Sequence, residues 1–362
     1  MKKDILSLTF QELSDEVSAL GFPKYRSAQI FRWLHKSGVR SFSEMTDLPL
    51  AAREQMDYNF VIFSCAIEKK LISAYDSTVK YLFRLHDGEF VESVVMKYKY
   101  GYTICVSSQV GCRMGCSFCA STLNGVVRNL YASEILSQLY AAENDLGVRI
   151  SHIVLMGMGE PLDNYDNVLR FLQLVTDEKG KQVGMRHISL STCGIVPKIY
   201  DLMEKDLQLT LSVSLHAPND ALRSAMMPVN KKWGVAALID ACRAYTERTS
   251  RRISFEYALV KGKNDFPECA RQLAVLLKGM LCHINLIPVN EVAETGCKRS
   301  TPENVKKFAD ILAEKGYAVT VRRELGADIN AACGQLRRSA EQMQPSENPK
   351  KTEVSSEVRI SN

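Results

Sequence analysis

Three cysteines close together in the chain, Cys112, Cys116 and Cys119, are the residues whose type and spacing most directly imply chemistry. Three thiolates on a short loop can hold three corners of a cubane iron–sulfur cluster. Such clusters are usually held by four cysteines, so a three-ligand cluster leaves one iron open to an exogenous chelator. A structural zinc site wants four protein ligands, often as two separated pairs, and the sequence offers no convincing second pair. Simple packing of small apolar side chains would leave the triple spacing without a reason. The aromatic Phe118, next to Cys119, suits a cluster shielded from solvent.

The loop must be positioned, and the surrounding pattern indicates how. From about residue 102 strand-like apolar runs (YTICVSS, SHIVLMG, RHISLST, LTLSVSL, ISFEYAL, HINLIPV, AVTVRRE) alternate with helical segments such as ASEILSQLYAAEN and NVKKFADILAEKG. This alternation predicts an α/β fold with a parallel sheet and helices outside it. The strand count predicts a partial (β/α)6 TIM-like barrel over 101–337 in preference to an open doubly wound sheet, a choice that periodicity alone does not decide. Before it come a small helical domain, residues 1–57, and a β-rich connecting segment, residues 58–100. Residues 338–362 are polar and predicted to be a disordered tail.

In such folds sites form at the C-terminal ends of strands. The cysteine loop follows YTICVSS, and Gly157-Met-Gly159-Glu160-Pro161 follows SHIVLM. Ser191, the Ser214-Leu215-His216 run and Asn290 close three further strands, so one shared rim is expected. Each of these alone would be an ordinary loop residue; His216 alone would be a satisfied structural histidine.

The bulk properties exclude little but agree. The chain has 362 residues, 46% of them hydrophobic, enough for a sizeable core, and no long apolar run, so no membrane span is expected. The opening MKKDILSLTFQELSDEV turns polar early, which predicts no secretory signal and a cytoplasmic protein. The net charge of +5 is too modest to imply a polyanionic partner by itself. In a reducing compartment the 11 cysteines favour metal or redox chemistry over disulfides. Cys65, Cys193, Cys242, Cys269, Cys282 and Cys297 show no spacing of interest and are expected to be packing or surface residues, Cys193 nearest the rim.

The cysteine loop with its aromatic resembles the radical S-adenosylmethionine superfamily. The segments SSQVGCxxxCxFCA, GMGEPLDN, SLHAPND, RRISFEYALVKGKND, HINLIPVN and DINAACGQL resemble, more closely, its adenine-C2 RNA methyltransferases, which act on 23S ribosomal RNA and tRNA. The resemblance covers about residues 10–337. It implies a [4Fe-4S] cluster on Cys112, Cys116 and Cys119, and S-adenosylmethionine bound by Gly159, Glu160, Ser191, Ser214, Leu215, His216 and Asn290. Adenine C2 lies between two ring nitrogens and is electron-poor, so direct polar transfer from a sulfonium should fail; a radical route needs a methyl carrier. The resemblance implies that Cys333 is that carrier and that Cys105 is the resolving thiol, through a transient Cys105–Cys333 disulfide. It also implies that Glu92 accepts the C2 proton, although in isolation Glu92 would be a solvent-facing strand carboxylate.

The helical N-terminal region carries Lys24, Tyr25, Arg26, Arg32, Trp33, His35 and Lys36, a basic–aromatic mix suited to phosphates and base stacking. An ordinary amphipathic helix with Ile30, Phe31 and Leu34 inward explains the same residues, and the RNA role rests on the resemblance. Removing residues 1–57 is expected to weaken RNA binding and spare cofactor cleavage. An electron donor such as flavodoxin with its reductase is implied, with no membrane partner and a monomeric state. Two other readings stay open: the C8-methylating resistance enzymes of the same branch, and a non-catalytic zinc-bearing RNA-binding module.

Overall fold

A computed structural model of the chain describes residues 2–291, 293–331 and 334–336. The N-terminal part holds β1 (Lys3–Asp4), α1 (Phe10–Ala19), α2 (Tyr25–Arg32) and α3 (Leu50–Asn59), and ends in β2 (Phe60–Val61), which pairs in parallel with β1. A capping box starts α1: Thr9 accepts from the Glu12 amide, and the Glu12 carboxylate takes the Thr9 amide. Ile30 and Phe31, then Leu34 in the helical turn Trp33–Ser37, turn inward and are buried with barrel side chains in one continuous core. The inward face expected of an amphipathic helix is therefore present. It also buries His35, which removes that ring from any RNA surface.

Strands β3 (Ala66–Ile72), β4 (Val79–Arg84) and β5 (Phe90–Tyr98) form an antiparallel meander. β5 pairs with β6 (Gly101–Cys105), so the connecting segment extends the barrel's own sheet. After a short hairpin, β7 (Gln109–Gly111) with β8 (Val126–Asn129), the repeating units run in order. They are α4 (Ala132–Leu146), β9 (Ile150–Leu155), α5 (Tyr165–Thr176), β10 (Ile188–Thr192), α6 (Val196–Met203), β11 (Thr210–Ser214), α7 (Asp220–Met226), α8 (Val235–Thr249), β12 (Ile253–Leu259), α9 (Pro267–Leu276), β13 (Cys282–Pro288), α10 (Pro302–Glu314) and β14 (Val319–Val321). The sheet order is β14-β13-β12-β11-β10-β9-β6-β5-β4-β3, with β6 and β9–β14 parallel and β14 not paired with β3. It is the partial, open barrel that the strand count predicts.

Alternation along these strands explains why the lumen can hold a site. In β12, Ile253, Phe255, Tyr257 and Leu259 are buried, pressed outward against the helices. The residues between them, Ser254, Glu256 and Ala258, point to the other face, and Glu256 and Ala258 line the lumen. Helices match this wall: α5 buries Val168, Phe171, Leu172 and Val175 on one stripe. Among the described residues no helix is long and apolar enough to cross a membrane.

Candidate active site

The cysteine loop is the turn of the β7–β8 hairpin, closed by the Cys112 amide donating to the Gly125 carbonyl at 3.0 Å. Gly111, with φ of 76°, makes this closure possible, because a Cβ there would stand 2.0 Å from the Gly125 oxygen. Cys112, Cys116, Phe118 and Cys119 line an open cavity with about 940 Å³ of space outside the atoms, part of it continuous with solvent. Across it stand Gly159 and Glu160 after β9, Ser191 on β10, Ser214 on β11, His216 just beyond it, and Asn290 after β13. Six of the seven expected cofactor contacts thus meet the three cysteines at one rim. Leu215 does not line the cavity; it is fully buried, and its backbone takes part in the wall through its amide, which donates to Glu256 O at 3.1 Å.

Two of these side chains are held in place by hydrogen bonds. Glu160 receives the Cys193 amide on Oε2 at 2.7 Å and the Leu162 amide on Oε1 at 3.0 Å. Burial raises its pKa, and those donors oppose the shift. A cationic amino group arriving in the cavity would favour the ionised form. His216 adopts a left-handed backbone (φ 57°), and its ring lies edge-on to Phe118 with centroids 5.0 Å apart. Burial pushes its pKa down to about 3, so the ring is neutral. Nδ1 accepts the Ala258 amide at 2.9 Å, which leaves the proton on Nε2 as the ring's donor.

The donor set fits an iron–sulfur cluster. Burial, with the neighbouring thiols, pushes Cys112 up to about 12 and raises Cys116 strongly. Such thiols become thiolates where a metal's charge reverses the effect. Among the described residues no three Cys, His, Asp or Glu side chains gather as a single ion requires. A cubane spreads its thiolates over different irons, whereas a structural zinc site wants four ligands on one ion.

A second cavity adjoins the first and shares Met156, Ile287, Asn290 and Arg322 with it. Cys105, buried at the end of β6, lines it, as do Ala331 and Leu336. Cys333 lies outside the described residues, as does the tail beyond Leu336, but its described neighbours on both sides border this cavity; Gly334 lines the cofactor cavity and accepts the Ala120 amide at 2.7 Å. No disulfide joins the described cysteines.

Glu92 departs from the solvent-facing carboxylate its sequence context suggests. It is wholly buried and paired with Lys80 at 2.9 Å, itself buried; Lys80 also donates to the Asn330 carbonyl at 3.1 Å. Glu92 lines neither cavity, but it shares its face of β5 with Val94 and Met96, which line the second. Sequence reasoning missed Lys80, Glu256 and Arg322. The signal was available for two of them: Glu256 and Arg322 stand at the alternating positions that face a lumen.

Residues 106–273 match the family model described as the Radical SAM superfamily, and residues 3–62 match the Ribosomal RNA large subunit methyltransferase N-terminal domain. A protein of Alkaliphilus oremlandii named "Probable dual-specificity RNA methyltransferase RlmN" is 54% identical, covering 93% of this chain and 98% of the relative. One of the same name from Clostridium novyi is 52% identical over the same shares. The crystal structure of a radical SAM methyltransferase from Sphaerobacter thermophilus superposes with a TM-score of 0.90 at 41% identity, covering 92% of this chain and 99% of that one.

Proposed function

Since the chain belongs to the RlmN family of dual-specificity RNA methyltransferases within the radical SAM superfamily, we propose that it methylates adenine C2 in 23S ribosomal RNA and in tRNA. The observation that carries this reading is the single rim, where three thiols face a glycine-rich turn and polar strand ends, beside a cavity bordered by Cys105 and the neighbours of Cys333. When bound, the cluster and S-adenosylmethionine together supply a 5′-deoxyadenosyl radical. The protein orients the cofactor and excludes water.

The geometry and the family support the following roles. Cys112, Cys116 and Cys119 hold the cluster. Gly159 and Glu160 take the amino group, the amides on Glu160 fixing its carboxylate. Ser191, Ser214, the Leu215 backbone, His216 and Asn290 surround the rest of the cofactor. The Cys333 sulfur carries the methyl to C2. The Cys105 thiolate then attacks that sulfur and forms the Cys105–Cys333 disulfide; the sulfur–carbon bond to the base breaks with its electron pair on the carbon, which takes a proton to become the methyl group, and an external dithiol reductant returns both cysteines to thiols. Glu92 receives the C2 proton, with Lys80 beside it to steady the carboxylate until then. A one-electron donor such as flavodoxin with its reductase loads the site, and the enzyme works as a cytoplasmic monomer.

Anaerobic incubation with S-adenosylmethionine, reductant and RNA fragments, followed by nucleoside mass spectrometry, tests the reading. The expected product is 2-methyladenosine in both RNAs; 8-methyladenosine, or no methylated adenine, overturns it. Cys105→Ala should accumulate a covalent protein–RNA adduct, whereas normal turnover would remove the resolving role.

A further inference from the structure

Arg223, on α7, is a fully buried charged side chain to which the catalytic roles above assign nothing. All of its hydrogen-bond partners are neutral. Nε donates to Leu215 O at 3.0 Å and one terminal nitrogen to Asn230 Oδ1 at 2.9 Å. The other donates to Cys193 O at 2.6 Å and Ser214 O at 3.1 Å. The Asp220 carboxylate stands behind Asn230, whose Nδ2 donates to it at 2.9 Å. A guanidinium stays charged when buried, and a buried charge without a counter-charge is costly even when its donors are satisfied.

A further counter-charge, beyond the indirectly placed Asp220, has a natural place. Arg223 does not line the cofactor cavity, but Cys193 and Ser214, whose carbonyls it holds, do. The guanidinium therefore lies one peptide layer behind the cavity wall. The end of the same helix is tied to the cysteine loop, with the Ser117 amide donating to Met226 O at 2.9 Å. Ser117 directly follows Cys116, so the end of α7 and the cysteine loop meet beside that thiol.

We infer that Arg223 is a fixed positive charge behind the cluster that raises its reduction potential, acting through the field and not by contact. This rests on the assignment of Cys112, Cys116 and Cys119 as cluster ligands. Three thiolates outweigh the doubly positive core of the oxidised cluster, and the electron from an external one-electron reductant adds a further negative charge. A nearby cation therefore stabilises the reduced form more than the oxidised one. Arg223 stays protonated throughout, and no bond forms or breaks. The rival role is mechanical: the same hydrogen bonds tie the end of β11 to the turn after β10.

Redox titration of the reconstituted holoenzyme, read by the spectrum of the reduced cluster, separates the two. In Arg223→Gln the cluster should hold its electron at least tenfold less tightly, a midpoint lower by about 59 mV or more. Arg223→Lys should stay within threefold of the parent. Asp220→Asn combined with Asn230→Asp moves a negative charge against the guanidinium at constant net charge, and should lower the midpoint as Arg223→Gln does. An unchanged midpoint in Arg223→Gln overturns the inference, and so does an equal fall in Arg223→Lys. If Arg223→Gln does not fold, an unchanged midpoint in the double variant overturns it. Iron and sulfide are assayed in every sample: parent protein that takes up no cluster sinks the cysteine assignment, while loaded protein whose midpoint ignores Arg223 sinks this inference alone.

Discussion

At the scale of single residues, the site depends on groups whose burial makes sense only with a partner. Glu92 and Lys80 are the clearest pair, both almost wholly enclosed. Lys80→Met takes away the cation beside the buried Glu92 carboxylate and should cost about 3–5 kcal/mol in urea unfolding. Replacing both, Lys80→Met with Glu92→Leu, should recover most of that loss, because both charges of the pair then leave together. A double variant as unstable as the single one would contradict the ion-pair account. The three loop thiols, proposed as cluster ligands, make a similar case: Cys116→Ser should bring bound iron well below the parent level and abolish deoxyadenosine formation, read by iron assay and chromatography.

At the scale of elements, the N-terminal helices and the barrel share one core, and His35 marks the seam. Its ring lies 4.3 Å from that of Phe31, and its Nδ1 is 3.1 Å from the Tyr140 hydroxyl on α4. Burial lowers its pKa from 6.5 to about 3. The unfolded chain then takes a proton that the folded one refuses, so this contribution is fully present above about pH 6.5 and is lost as pH falls toward 3. The slope is at most about 1.4 kcal/mol per pH unit. His35→Gln should flatten the stability profile between pH 6.5 and 5, measured by urea midpoints; a profile parallel to the parent's would exclude His35 as its source.

At the scale of the whole molecule, the shared core changes what deletion can report. Glu12 pairs with Arg170 on α5 at 2.8 Å, the Ser133 amide of α4 donates to Ser7, and Asn144 of α4 reaches the Gly38 carbonyl. Removing residues 1–57 would bare apolar surface on α4 and α5, so such a variant should melt well below the parent. A cleaner probe of RNA binding uses surface charges. Lys24→Ala with Lys36→Ala, both exposed, should weaken RNA binding and shallow its salt dependence while leaving melting temperature and cofactor cleavage unchanged. Unaltered RNA affinity would move the binding surface elsewhere.

The sequence by itself determined the triple-cysteine spacing, the order of strand and helix, and the set of strand-end residues. All of these are local facts: a spacing within one loop, a period along one segment, or a residue type where an apolar run stops. It could not show that Glu92 is buried against Lys80, because that pair meets only when β4 and β5 align. Nor could it show that Arg223 lies behind the cavity wall, since three backbone carbonyls from two different segments define its position. Leu215 illustrates the same limit: it sits within a motif at the rim, yet the pleat turns its side chain into the core. Which way a side chain faces and what charge stands beside it depend on packing between distant segments, and only the folded sheet decides them.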